Sequence, residues 1–290
     1  MLIFPGSRSI SLGQAVAQAT GFEIGKLEYK HFPDGELYLR LLSNVDGRET
    51  VVIQSTRNSD DLIELFLLLD ALQEYKASKV IALVPYLAYA RQDKVFLEGE
   101  ALSAKTILKL IHELADGIIT VNCHFLDQAG DAIYHGMEVK NIDAFPLLAE
   151  YFRDILHDPI LIAPDKGSLR YAEQAAEYMN CKFNHLSKLR LSGEEVSFEE
   201  KNLGVEGKDV LILDDMISTG GTILKAAKLI REQGANSINV GCVHGVFSKN
   251  KEEIASAVDQ LVCTDTLPTE FSKVSVAQLL AKILGEYKRI

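Results

Sequence analysis

The chain has 290 residues, 47% of them hydrophobic and 24% charged. That balance suits a folded chain with apolar material for about two domains of ordinary size. Its formal net charge of −11 argues against wrapping nucleic acid or lying on an anionic membrane, since neither surface attracts it overall; a small anionic substrate held by local basic groups stays open. Met1–Phe4 has no basic flank and turns polar by Gly6, and the apolar run Leu62–Leu72 is broken by Glu64 and Asp70, so neither a signal peptide nor a membrane span is expected. Cys123, Cys181, Cys242 and Cys263 are isolated in sequence; they read as small buried hydrophobes of a cytoplasmic, disulfide-free protein.

In chain order, Phe32-Pro33-Asp34-Gly35-Glu36 is a proline–glycine turn carrying an aromatic and two acids. Val51–Ile53 is a short apolar strand. Asp60 and Asp61 can cap a helix whose Leu62, Leu65, Phe66, Leu69 and Leu72 share one face. Val80–Val84 is the next strand, and Pro85 to Lys94 follows it as a charged loop containing Arg91, Gln92 and Asp93. Strand 117–121 precedes His124. Ile160–Ala163 leads into Pro164-Asp165-Lys166-Gly167-Ser168, and Ser187-Lys188-Leu189-Arg190 into a polar stretch with little apolar periodicity. Val210–Leu213 and Ile238–Val243 are further strands, separated by a helix opened by Thr222 and stopped by Gly234. A last helix spans Val276–Tyr287.

Continuous apolar runs signify strands buried on both faces, as in parallel sheets, so the expected class is α/β. Val51–Val84 and Val210–Val243 repeat the same strand, polar loop, helix, turn and strand at nearly the same spacing, which points to two duplicated domains. The boundaries expected are 1–142 and 143–273, with helix 274–290 packed back on the first. In such sheets ligands collect at the carboxyl ends of strands.

The most informative stretch is Val210–Thr222. A buried strand ends in Asp214 and Asp215, good acceptors for ribose hydroxyls and hard ligands for a divalent ion. Ser218, Thr219, Gly220, Gly221 and Thr222 then offer consecutive backbone N–H groups and hydroxyls at a helix N-terminus, a ready anion site. Phosphate at one end and sugar hydroxyls at the other match a ribose 5-phosphate.

This stretch resembles the phosphoribosyl-binding motif of type I phosphoribosyltransferases and of ribose-phosphate pyrophosphokinases (phosphoribosyl pyrophosphate synthetases). The other segments favour the second family, in a compact, archaeal-like form. Its resemblance implies two type I phosphoribosyltransferase-like domains and transfer of the diphosphoryl group of ATP to the anomeric hydroxyl of ribose 5-phosphate. It implies ATP contacts from Phe32, Asp34, Glu36, Arg91, Gln92 and Asp93, and Mg2+ ligation by His124 and Asp165. It places Lys188 and Arg190 on a loop that closes over the reaction, and it implies a homo-oligomer. Ser218 stands where many members carry an aspartate, which removes the role of that carboxylate. A type I phosphoribosyltransferase and a non-catalytic regulatory paralogue are the alternatives; neither nucleic acid nor membrane is expected as a partner.

Overall fold

The computed structural model describes residues 1–126, 128–165, 167–186, 188–190, 196–198 and 202–287, with backbone alone for 188–190, 196–198 and 287. The chain divides into two compact units: Met1–Asp143 with the segment from Ser275 onward, and Ala144–Val274.

Unit 1 runs β1 (Leu2–Pro5), a 3-10 turn Ser7–Ser9, α1 (Ile10–Thr20), β2 (Glu23–Ile24), β3 (Leu27–His31), β4 (Leu37–Leu41), β5 (Glu49–Ile53), α2 (Ser59–Glu74), β6 (Lys79–Val84), α3 (Ser103–Leu114), β7 (Gly117–Val121), β8 (Gly130–Tyr134) and β9 (Met137–Ile142). Its sheet has the order β2-β1-β5-β6-β7-β9-β8, parallel except for β8. The apolar runs of β1, β5 and β6 are buried throughout, because helices cover both faces. Leu65, Leu68, Leu69 and Leu72 of α2 pack with Leu2, Phe4 and Val52 on one side of the sheet. β3 and β4 stand apart as a two-stranded antiparallel hairpin.

Helix α2 begins two residues earlier than its acidic pair suggests. Asn58 is the N-cap, and Asp61 completes a capping box rather than capping the helix itself. The Asn58 side-chain oxygen Oδ1 accepts from the Asp61 amide at 3.0 Å, so the asparagine takes the role expected of Asp60.

Unit 2 runs α4 (Phe145–Arg153), β10 (Pro159–Ala163), α5 (Leu169–Met179), β11 (Lys182–His185), β12 (Lys188–Arg190), β13 (Val196–Phe198), β14 (Asp209–Ile217), α6 (Gly221–Glu232), β15 (Ser237–Gly245), α7 (Lys251–Ala257), β16 (Gln260–Thr264) and β17 (Ser272–Val274). The chain then enters α8 (Ala277–Tyr287), which packs on α1 of unit 1. The sheet of unit 2, β11-β10-β14-β15-β16-β17, is parallel throughout. The fold is therefore α/β with two mostly parallel sheets. Cys123, Cys242 and Cys263 are buried and Cys181 is half-buried, all as free thiols.

Each sheet reverses its winding once. In unit 1, β1 returns through α1 to β2 on one side, while β5 proceeds through α2 to β6 on the other. In unit 2, β10 goes through α5 to β11, and β14 through α6 to β15 in the opposite direction. The loops leaving β1 and β5, and those leaving β10 and β14, thus diverge and open a crevice at the carboxyl edge of each sheet.

The opposite edge of unit 2 is tied by one carboxylate. Asp209 accepts from the His157 amide at 2.8 Å, the Asn236 side chain at 2.6 Å and the Ser237 hydroxyl at 2.7 Å, joining the starts of β10, β14 and β15. Burial alone would raise its pKa; these three donors outweigh it and hold the carboxyl below the usual range. A depressed folded-state pKa contributes stability that is present above the unfolded value of about 3.9 and is lost as pH falls through the folded value. Asp209→Asn should therefore cost about 2–3 kcal/mol at pH 7, and urea midpoints should show the gap to wild type narrowing below about pH 4.

Candidate active site

The crevice of unit 2 gathers the acidic residues singled out in the sequence. Asp165 follows β10, and Asp214 and Asp215 lie on the neighbouring β14. Between them sits Ser168, 4% exposed. Its hydroxyl bridges Asp165 Oδ1 at 3.1 Å and Asp214 Oδ1 at 2.9 Å. Its amide donates to Asp165 Oδ1 at 3.1 Å, so this N–H serves the aspartate rather than a ligand's phosphate. Asp214 Oδ1 also accepts the Asp215 amide at 3.1 Å.

Burial, followed by the charges of Asp215 and Asp165, lifts the Asp214 carboxyl well above its ordinary range, against the Ser168 hydrogen bond. Such crowding of hard oxygens is relieved by a divalent cation. The donor set thus fits Mg2+, which takes one or two carboxylates and keeps several waters. Among the described residues no group of three or more His, Cys, Asp or Glu side chains closes into a ready cage.

The strand does not end at its acidic pair. β14 runs on to Ile217, pairing Met216 with His244 and Ile217 with Gly245 of β15. The chain then turns sharply. Gly220 adopts φ +78° as the residue before α6, and a Cβ there would also collide with Ile254. The carbonyls of Ile217, Ser218 and Thr219 are all taken from the same segment. Val246 and Phe247 amides donate to Ile217 O at 3.1 and 3.0 Å, the Ser248 amide to Ser218 O at 2.9 Å, and the Asn250 side chain to Thr219 O at 3.1 Å.

No side chain caps α6, and its first helical bond is Leu224 N to Gly220 O. The amides of Gly221, Thr222 and Ile223 are therefore the first-turn donors, available to an external anion. The sequence pointed to this turn and missed its support: the Ser168 hydroxyl and the 246–250 segment carry no motif, although Asp-x-x-Ser at 165–168 is the spacing of a local side-chain-to-amide bond.

The remaining candidates lie in unit 1. Phe32 tips the β3–β4 hairpin, is 45% exposed and meets Tyr38 edge-on at 6.0 Å; Asp34 and Glu36 are exposed beside it. Arg91 is exposed, with Gln92 and Asp93 half-buried, on the loop following β6. Gln92 donates to Lys94 O at 2.9 Å and to Glu100 at 3.1 Å. His124 is exposed on the turn after the adjacent strand β7, a turn held by the Cys123 amide on Asn141 at 2.9 Å. Lys188 and Arg190 lie on β12, which pairs antiparallel with β13; their side chains fall outside the described residues.

Unit 1 has the same kind of crevice, but its own side chains close the corresponding helix. Asp61 Oδ2 accepts the Arg57 amide at 2.8 Å and the Asn58 amide at 3.3 Å, and Arg8 stands 3.2 Å from Asp61 Oδ1. The N-terminus of α2 is thereby supplied with an anion by the chain, whereas that of α6 is not.

Residues 1–114 match the N-terminal domain of ribose phosphate pyrophosphokinase, and residues 131–278 match the phosphoribosyl transferase domain. The chain is 41% identical to ribose-phosphate pyrophosphokinase 2 of Archaeoglobus fulgidus, over 97% of this chain and 99% of that one. It is 42% identical to the ribose-phosphate pyrophosphokinase of Pyrococcus abyssi, over 90% of each. Among solved structures, phosphoribosylpyrophosphate synthetase from Mycobacterium smegmatis superposes with a TM-score of 0.85 at 28% identity, covering 99% of this chain and 98% of that one.

The turn before α6 generates a test. Gly220→Ala forces both a left-handed alanine and a clash with Ile254, at a cost of about 1–3 kcal/mol. The variant should stay folded by circular dichroism and lose at least about tenfold in affinity for a phosphomonoester by calorimetry.

Proposed function

The chain belongs to the ribose-phosphate pyrophosphokinase family, and from that premise we propose how its residues divide the work. The enzyme makes 5-phosphoribosyl 1-diphosphate and AMP from ribose 5-phosphate and ATP, a step of nucleotide biosynthesis. The observation that carries the reading is the uncapped α6 turn beside the Asp165–Ser168–Asp214 cluster, in a chain similar over nearly its whole length to such enzymes.

Ribose 5-phosphate enters the crevice of unit 2. Its phosphate takes the amides and hydroxyls of Ser218, Thr219, Gly220, Gly221 and Thr222, and its hydroxyls take Asp214 and Asp215. ATP is held from unit 1: Phe32 offers a stacking face, Asp34 and Glu36 accept from the base, and Arg91, Gln92 and Asp93 meet the nucleotide. His124 would hold the Mg2+ that accompanies ATP, and Asp165 a second Mg2+ in the crevice of unit 2; bound Mg2+ would offset the charge of the phosphoryl oxygens.

The anomeric oxygen attacks the β-phosphorus in line, forming the O–Pβ bond as the bond to the AMP oxygen breaks; the hydroxyl proton leaves to solvent. Transfers of this kind depend on positioning and charge compensation. Lys188 and Arg190 supply the compensation at the transferring group. Among the described residues none is assigned the part of a dedicated base, and Ser218 offers a hydroxyl where many relatives place a carboxylate.

Assembly into a homo-oligomer belongs to the same proposal. Ile63 and Leu67 of α2 stay exposed, an apolar strip that a second copy would cover. A cytoplasmic setting suits an enzyme that consumes ATP and carries free thiols, and no described helix is long and apolar enough to cross a membrane.

Two outcomes are expected. Pure protein with Mg2+, ATP and ribose 5-phosphate, without any nucleobase, releases AMP in a coupled assay; a phosphoribosyltransferase or an inert paralogue does not. Lys188→Ala lowers turnover by about 10³-fold or more while ribose 5-phosphate affinity stays near wild type. Turnover within about threefold of wild type removes Lys188 from the chemistry.

A further inference from the structure

We propose that Glu64 is a built-in ligand: its carboxylate occupies the anion station of the unit 1 crevice, so that this half of the chain takes no sugar phosphate. The comparison of halves rests on the assignment of ribose 5-phosphate to unit 2; the occupancy of unit 1 by Glu64 stands on its own contacts.

Glu64 projects from α2 and is 5% exposed. Its Oε1 accepts the Ser7 amide at 2.7 Å. Its Oε2 accepts the Ser7 hydroxyl and the Gln54 side-chain amide at 3.1 Å. The Gln54 side chain is itself oriented by the Arg8 amide, which donates to its Oε1 at 3.1 Å. Gly6 allows the close approach, since a Cβ there would run into Gln54. The hydroxyl of Tyr29 is also in reach: burial first, then the charge and hydrogen bond of Glu64, push its pKa up.

A backbone N–H after a glycine, a serine hydroxyl and a side-chain amide are the donors that hold a bound oxyanion elsewhere in proteins. They come from the loops after β1 and β5, the two that flank the winding reversal of unit 1. The anion they hold is supplied from within the chain.

The duplicated helices show how the two halves diverged. Counting from the first residues Ser59 and Gly221, the third and sixth positions of α2 are Asp61 and Glu64, and those of α6 are Ile223 and Ala226. Ile223 and Ala226 are buried apolar residues at 2% and 0% exposure. One helix delivers two carboxylates to its crevice; the other delivers none and leaves its donors to an outside ligand.

Glu64→Ala installs the residue that α6 carries and deletes one methylene and one carboxylate, the atoms of acetate. Thermal melts of the full chain in sodium acetate, against sodium chloride at equal ionic strength, test the proposal. The alanine variant should melt about 10 °C below wild type and regain at least about half of that loss as acetate saturates. Wild type and Glu64→Gln, whose sites stay filled, should show no acetate-specific gain. Refolding yield replaces the melt if the alanine variant is too unstable, and recovery dependent on acetate supports the proposal. Equal acetate responses in all three proteins, or none in the alanine variant by melt or refolding, overturn it. So does binding of two equivalents of ribose 5-phosphate per wild-type chain. None of these readouts uses turnover, so failure of the catalytic reading is separately visible.

Discussion

A parallel strand that ends at a winding reversal leaves its following loop nothing to pair with on one side, and the molecule's chemistry depends on that constraint. Between β10 and β14 the diverging loops bring Asp165, Ser168 and Asp214 within hydrogen-bonding reach and set the uncapped start of α6 beside them. The remainder of unit 2 keeps that edge in place. Asp209 ties the opposite edge, and the 246–250 segment takes up the carbonyls of Ile217, Ser218 and Thr219.

The two halves share a topology and differ in where their negative charge comes from. A helix N-terminus and a set of converging donors need an anion. Unit 1 meets the need with Asp61 and Glu64; unit 2 has Ile223 and Ala226 at the matching places. A duplicated chain can thus keep one crevice open while side chains of its own close the other.

The strands were legible because burial on both faces demands unbroken apolar runs, and Val51–Ile53, Val80–Val84 and Ile160–Ala163 all fall within strands. The tight turn before α6 was legible because the small residues and glycines at 218–222 suit a sharp bend into a helix, and Gly220 does take φ +78° there. Less was visible where a long-range partner decides the outcome. β14 continues through Asp214 and Asp215 because β15 pairs with it, which no local propensity for two aspartates suggests. Asn58 rather than Asp60 caps α2, since Asp61 reaches back to complete the box. Ser168 gives no sign in sequence that its hydroxyl spans two carboxylates. The polar composition around Lys188 and Arg190 suggested a loop, whereas the two residues lie on β12, paired with β13.

In the proposed function the phosphate of ribose 5-phosphate rests on the first turn of α6. A crystal structure of the full chain with ribose 5-phosphate tests it most directly. The phosphate oxygens should lie within hydrogen-bonding distance of the Gly221 and Thr222 amides, with the sugar hydroxyls on Asp214 and Asp215 and the crevice of unit 1 still filled by Glu64. Density for the sugar phosphate between the loops after β1 and β5, with the α6 turn empty, would contradict it.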